Sequence, residues 1–149
     1  MSDEQGPIYF YSVSDEFGEF SNFAAFPIKI KGKTWPTSEH YFQAQKFTDT
    51  AYIEKIRKAK SPMEAARLGR SRKVSIRKDW EKLKDGVMHL AVSKKFTQHG
   101  DLAELLVSTN NRKLVERTVN DDYWGDGGDG MGKNMLGRIL MAVRTQLQR

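Results

Sequence analysis

The sequence predicts an α+β fold: a mostly helical single domain with a small N-terminal antiparallel sheet. Three observations carry this. Aromatic and β-branched residues cluster in short runs before Pro36, helix-start signals recur after it, and no internal repeat or low-complexity segment divides the 149 residues. A chain of this length buries a core without covalent staples. It has no cysteine, which excludes disulfides and thiolate metal sites.

Ile8 to Tyr11 is an aromatic strand candidate, and Phe26 to Ile30 followed by Lys31, Gly32, Lys33, Thr34 and Trp35 reads as a hairpin. Pro36 and Thr37 open a helix that carries Tyr41, Phe42 and Ala44 and ends near Phe47. A second helix is expected from about Tyr52 to Ala59. Ser61, Pro62 and Glu64 form a capping box for a third that stops at Gly69. Asp79 caps the next, where Trp80, Leu83, Val87, Leu90 and Ala91 keep helical spacing. Leu102 to Val107 is a short helix. Lys113 to Thr118 is read as a strand, with a helical extension as the alternative. Leu136, Ile139, Leu140, Val143 and Leu147 mark a final amphipathic helix.

Charge is distributed unevenly. The chain carries +6 overall, but residues 55–84 hold twelve Lys or Arg against three acids. That patch suits a phosphate-bearing partner, nucleic acid or small molecule, and equally a solvated helix face. The amino terminus shows no leader-like pattern and no apolar run is long enough to span a bilayer, so a soluble cytoplasmic protein without membrane contact is expected. The oligomeric state is not legible.

Tyr123 to Asn134 holds five of the twelve glycines, with Trp124, Asp126, Asp129 and Lys133 among them. Such density suits a backbone that turns sharply or presses on a ligand. Gly127 to Asn134 matches a P-loop except that Asn134 stands where the magnesium-holding hydroxyl belongs. Neither a calcium loop nor a dinucleotide fingerprint fits. A glycine-rich turn that leads into a helix would still suit a phosphate. His40, His89 and His99 lack metal-ligand spacing, so no metal site is expected. Glu39, Gln43 and Lys46 fall at i, i+4 and i+7 and line one helix face. Local pairing on a solvated face explains them; so does a carboxylate set against aromatic walls for acid–base work.

Phe20 to Phe23, Lys33 to Phe47, Leu68 to Arg70, Tyr123 to Gly127 and Asn134 to Gly137 closely resemble the NADAR (NAD and ADP-ribose), or YbiA-like, family along nearly the whole chain. The resemblance implies an N-glycosidase that cuts the C1′–N bond of a ribosylated heterocycle without a cofactor. It points first to phosphoribosylamino-pyrimidine intermediates of riboflavin biosynthesis, released as base and ribose 5-phosphate. The alternatives are hydrolysis of ADP-ribosyl-guanine in nucleic acid as a toxin antagonist, and a non-catalytic ADP-ribose or NAD-binding module. The partner is thus a phosphorylated ribosyl small molecule or ADP-ribosylated nucleic acid.

On this reading Glu39 and Asp126 are the acid, base and cation-stabilising pair, by analogy with O-glycoside cleavage. Lys46 orients Glu39, contacts a ribose hydroxyl or attacks the opened sugar as an amine. Phe23 and Trp124 stack on the base, and Asn22 and Gln43 contact substrate. Arg70 and the amides of Gly125, Gly127, Gly128 and Gly132 meet sugar or phosphate, and Asn134 braces the loop.

Overall fold

Three side-chain caps set the helices in the middle of the chain. In the computed structural model, which describes residues 6–149, Thr37 accepts from the His40 amide to begin α1 (Ser38–Ala44). Asp49 accepts from Tyr52 to begin α2 (Thr50–Arg57), and Ser61 from Glu64 to begin α3 (Pro62–Arg70). Each cap satisfies an N–H that the helix leaves without a partner. The cap at Asp49 explains why α2 starts at Thr50 rather than at Tyr52. Residues 1–5, part of the segment read for a leader, lie outside the described residues.

Two further boundaries differ from expectation. The α1 helix closes at Ala44, where the amides of Lys46 and Phe47 turn to the carbonyls of Gln43 and Ala44 in tighter three-residue steps. Conversely α3 continues through Gly69 to Arg70, so Gly69 is not its terminator.

The chain packs as two units: Ala25–Lys95, and the described residues up to Ala24 together with Phe96–Arg149. The middle unit opens with a hairpin, β2 (Ile28–Ile30) and β3 (Lys33–Trp35), antiparallel with Ile28 opposite Trp35. Lys31 and Gly32 both take positive φ, 53° and 81°, which gives the two-residue turn whose twist matches the strands. Ile28, Ile30 and Trp35 enter a core with Tyr41, Ala44, Phe47, Ile56 and Leu68. The helices pack on one another, and Tyr52 ties them together: its ring meets Phe47 edge-on at 4.8 Å while its hydroxyl donates to the Leu68 carbonyl at 2.6 Å.

In the other unit β1 (Ile8–Phe10) pairs with β4 (Leu114–Glu116), in parallel, Ile8 beside Leu114. Lys113 to Thr118 is therefore a strand at its centre, as expected, but the sequence did not foretell its partner. α5 (Gly100–Ser108) packs on α6 (Met135–Leu147), and α6 packs on β4. Gly137 permits that approach, since a Cβ there would lie 2.1 Å from the Leu114 carbonyl oxygen. The long α4 (Trp80–Gln98) follows Asp79, whose carbonyl receives the amides of Lys82 and Leu83 and whose carboxylate holds Arg77. No helix among the described residues is long and apolar enough to cross a membrane.

Candidate active site

The Glu39 face of α1 is not a solvated stripe. Glu39 and Gln43 are 8% and 7% exposed, and Gln43 Nε2 donates to Glu39 Oε2 at 2.7 Å. Gln43 Oε1 is buried and takes no hydrogen bond. A buried carbonyl left unpaired costs about 1–3 kcal/mol.

Lys46, half-buried in the closing turn, has an amine held below the ordinary lysine range. Burial is the main cause; the Glu39 charge opposes it, and Arg72 and Arg70 add to it. Its Nζ lies 5.9 Å from the centre of the Phe42 ring. Glu39, Gln43, Lys46 and Arg70 are therefore one electrostatic group inside the middle unit. Arg70 is exposed at the end of α3. Arg72 belongs with them and was not anticipated; its Nη1 donates to the Gly69 and Ser71 carbonyls.

His40 supports this face without joining the chemistry. Burial lowers its pKa, and it bridges the Thr37 hydroxyl at 2.8 Å and the Ala59 carbonyl at 3.1 Å. Nε2 donates to that carbonyl, so Nδ1 accepts from Thr37. His40 is thus a packed histidine.

The glycine loop belongs to the other unit, and its inward-facing groups answer one another. Asp126, 2% exposed, accepts from Arg117 Nε at 2.6 Å, from the Gly128 amide at 2.8 Å and from the Thr118 amide at 3.1 Å. Burial alone would raise its pKa, but the bonds from Gly128, Arg117 and Thr118 win and hold it below the usual carboxylate range. A carboxylate so fixed is a poor proton donor, which leaves the base and cation-stabilising roles of the expected pair to it rather than the acid role. Arg117 in turn stacks on Tyr9 at 4.1 Å.

Most amides of the expected phosphate cradle are already engaged within the loop. The amides of Gly127, Gly132, Lys133 and Asn134 donate to the carbonyls of Asp121, Asp126, Asp122 and Gly125, and those of Met135 and Leu136 to Tyr123 and Trp124. Few donors remain to face an anion, and the start of α6 is already satisfied. The open cleft of about 800 Å³ along the loop is lined by Asp121, Asp122 and Asp129 against Lys133, the wrong sign for phosphate. The P-loop likeness is therefore one of letters. The glycines serve the loop's own closure: a Cβ at Gly125 would stand 2.9 Å from the Asp121 oxygen, and one at Gly132 2.8 Å from the Asp122 and Gly125 oxygens.

Asn134 ties the loop to β4. At φ 53°, its amide donates to the Leu114 carbonyl and its Oδ1 accepts from the Glu116 amide, both on β4. Asp129 is a turn residue that accepts from the Met131 amide. Trp124 is half-buried, edge-on to Tyr123 at 4.9 Å, with its amide on Asp121. Asn22 is buried and Phe23 half-buried, just beyond the 3-10 turn Gly18–Phe20, with the Phe23 amide on the Ser21 hydroxyl.

Sequence reasoning missed Lys95, 1% exposed, whose ammonium lies 5.8 Å from the Phe26 ring centre. Its spacing from the buried Met88, Ala91 and Val92 on α4 is the signal that would have found it. Among the described residues no group of His, Cys, Asp or Glu could hold a metal.

Comparison with known proteins adds an independent line. The NADAR domain matches residues 9–148. The chain is 61% identical over 140 residues to the N-glycosidase YbiA of Escherichia coli (strain K12), covering 94% of this chain and 88% of that one. The solved NMR structure of the E. coli protein YbiA superposes with a TM-score of 0.90 at 59% identity, covering 99% of this chain and 87% of that one. The Riboflavin biosynthesis protein VVA0006 of Vibrio vulnificus is 45% identical over 142 residues, 95% of this chain but 39% of that longer protein.

Proposed function

Because this chain belongs to the NADAR domain family and is a hydrolase of N-glycosyl bonds, we propose that its substrate is a phosphoribosylamino-pyrimidine intermediate of riboflavin biosynthesis. Cleavage releases the base and ribose 5-phosphate. The observation that carries the site is the buried Glu39–Gln43 pair on α1, beside a lysine whose amine is held below its ordinary range. The riboflavin name borne by the Vibrio relative supports the substrate.

In the proposed reaction the Glu39 carboxyl gives its proton to the departing nitrogen as the C1′–N bond breaks. The resulting carboxylate then takes a proton from the water that adds to C1′. Lys46 offers a second course. Its neutral amine adds to C1 of the opened sugar, the heterocyclic amine leaves, and water hydrolyses the resulting imine to restore the lysine. Arg70 and Arg72 replace the loop amides as phosphate contacts. In the other unit Asp126 holds the loop that carries Trp124.

The lysines around the cleft between α2 and α3, Lys55, Lys58 and Lys60, favour a second reading, hydrolysis of ADP-ribosyl-guanine in nucleic acid. Base release from the two substrates, measured side by side at one enzyme concentration, decides between them. A higher kcat/KM on the small phosphoribosyl compound is expected. Preference for the oligonucleotide would overturn the substrate, and ligand binding with no base released from either would leave a binding module.

A further inference from the structure

The space that a side chain on Gly69 would occupy is already filled. A Cβ there would lie 2.0 Å from Gln43 Oε1, 2.7 Å from Gln43 Cδ and 3.0 Å from Gln43 Cβ. Such overlap is far inside van der Waals contact, and Gly69 is buried, so the carboxamide has no room to retreat without moving. The same carboxamide carries the Nε2 that donates to Glu39.

The wall behind it is fixed. The Leu68 carbonyl receives the Tyr52 hydroxyl at 2.6 Å and the Gly69 carbonyl receives Arg72 Nη1 at 3.0 Å. α3 therefore does not swing away to admit a methyl group; the carboxamide has to go. Helix propensity offers no reason for glycine in the last turn of α3, where alanine would be favoured by about 1 kcal/mol.

We infer that Gly69 is a positioning residue of the reaction, acting through Gln43: its missing side chain is what lets the carboxamide lie flat against α3 and present Nε2 to Glu39. This rests on Glu39 being the proton-transfer group. Lys46, from the same helix segment, interacts electrostatically with that carboxylate and with Arg70 and Arg72 at the end of α3. All three survive the substitutions below, so a change in titration is referable to the lost amide donor. Losing a donor to the charged form raises a carboxyl pKa.

The test is a double-mutant cycle of Gly69→Ala and Gln43→Ala, read by base release from a phosphoribosylamino-pyrimidine and by the pH profile of kcat/KM. Each single variant is expected to lose at least tenfold, with the Glu39-dependent inflection moved to higher pH. Once Gln43 is alanine, adding Gly69→Ala should cost far less than it does alone, because the overlaps with Oε1 and Cδ are gone and only the 3.0 Å approach to the Cβ remains. Two independent full losses that multiply would overturn the inference, as would a Gly69→Ala enzyme whose inflection stays in place.

Should Gly69→Ala alone fail to fold, Gln43→Ala and the double variant carry the test. The double variant is expected to regain a wild-type circular dichroism spectrum, and failure to regain it refutes the steric link. Glu39→Gln, run alongside, separates the two ideas. If that variant keeps activity, the reading of Glu39 falls; if it is inactive and the cycle is additive, only the role of Gly69 falls.

Discussion

The α1 face and the glycine loop are built from the same materials, a buried carboxylate with amide donors and a cation nearby, and use them in opposite ways. In the loop, every oxygen of Asp126 is engaged and the glycine backbone closes on itself. On α1, Gln43 leaves a buried oxygen unpaired and Lys46 sits where its charge is disfavoured. The first arrangement stabilises the fold. The second holds groups at a cost in stability, as sites that must exchange protons do. A sequence rich in glycine therefore marked a loop closed on itself, and a helix stripe that passes for a solvated face marked the buried groups to which we assign the chemistry.

Substitutions on the two sides should separate activity from stability. The largest effect is expected from Glu39→Gln, a loss of about 10²–10⁴-fold in kcat/KM for base release with little change in melting temperature. A variant that melts early yet retains activity would reverse the contrast.

Lys46→Arg keeps a charge that cannot be given up, and should lose about 10²-fold. Borohydride added during turnover should trap wild-type protein at Lys46, detected by mass spectrometry, and leave Lys46→Arg unmodified. The depressed lysine also has a thermodynamic signature. Between its folded pKa and the ordinary value near 10.5 the unfolded chain binds more protons, so this group's penalty on stability is full below the folded pKa and fades as pH rises through that window. Denaturant titrations at rising alkaline pH, wild type against Lys46→Met, measure it.

On the loop side, Asp126→Asn should reverse the order of effects. Stability falls by about 2 kcal/mol as buried donors lose their carboxylate, a drop of very roughly 4–8 °C in melting temperature for a chain of this size. Catalysis suffers only as far as the loop loosens. Because the folded pKa is depressed, this stabilisation is present above about pH 4 and is lost as pH falls through the folded value. Near-ultraviolet circular dichroism of the Trp124 region, followed on acidification, should show the wild-type signal outlasting that of the variant.

The smallest effect is expected at Thr37→Ala, which removes a cap and the hydroxyl that His40 uses, for about 1 kcal/mol. A melting temperature lowered by a few degrees, with the Glu39-dependent inflection unmoved, would keep the cap apart from the chemistry.

Much of this was legible in the letters. Ser61 and Pro62 start α3 because their geometry and hydrogen bonding act within one turn, and Lys31 and Gly32 make the hairpin for the same reason. The motif around Glu39 pointed to the family, and the NADAR match bears that out. Other features were hidden because their causes are distant in sequence. The parallel pairing of Ile8 with Leu114 joins residues that no local pattern relates. Arg117 takes up Asp126 across a turn, and Gly69 read as a helix stop because its neighbour Gln43 comes from another helix.

By itself the sequence determined what short-range physics determines: where helices begin, which turn the hairpin takes, which residue types are available for cutting a glycosidic bond, and the family. The tertiary structure decided which of two buried carboxylates accepts from an arginine and loop amides and which accepts from a glutamine beside a desolvated lysine. That choice depends on burial and on partners contributed by other elements, and these exist only once the chain has packed.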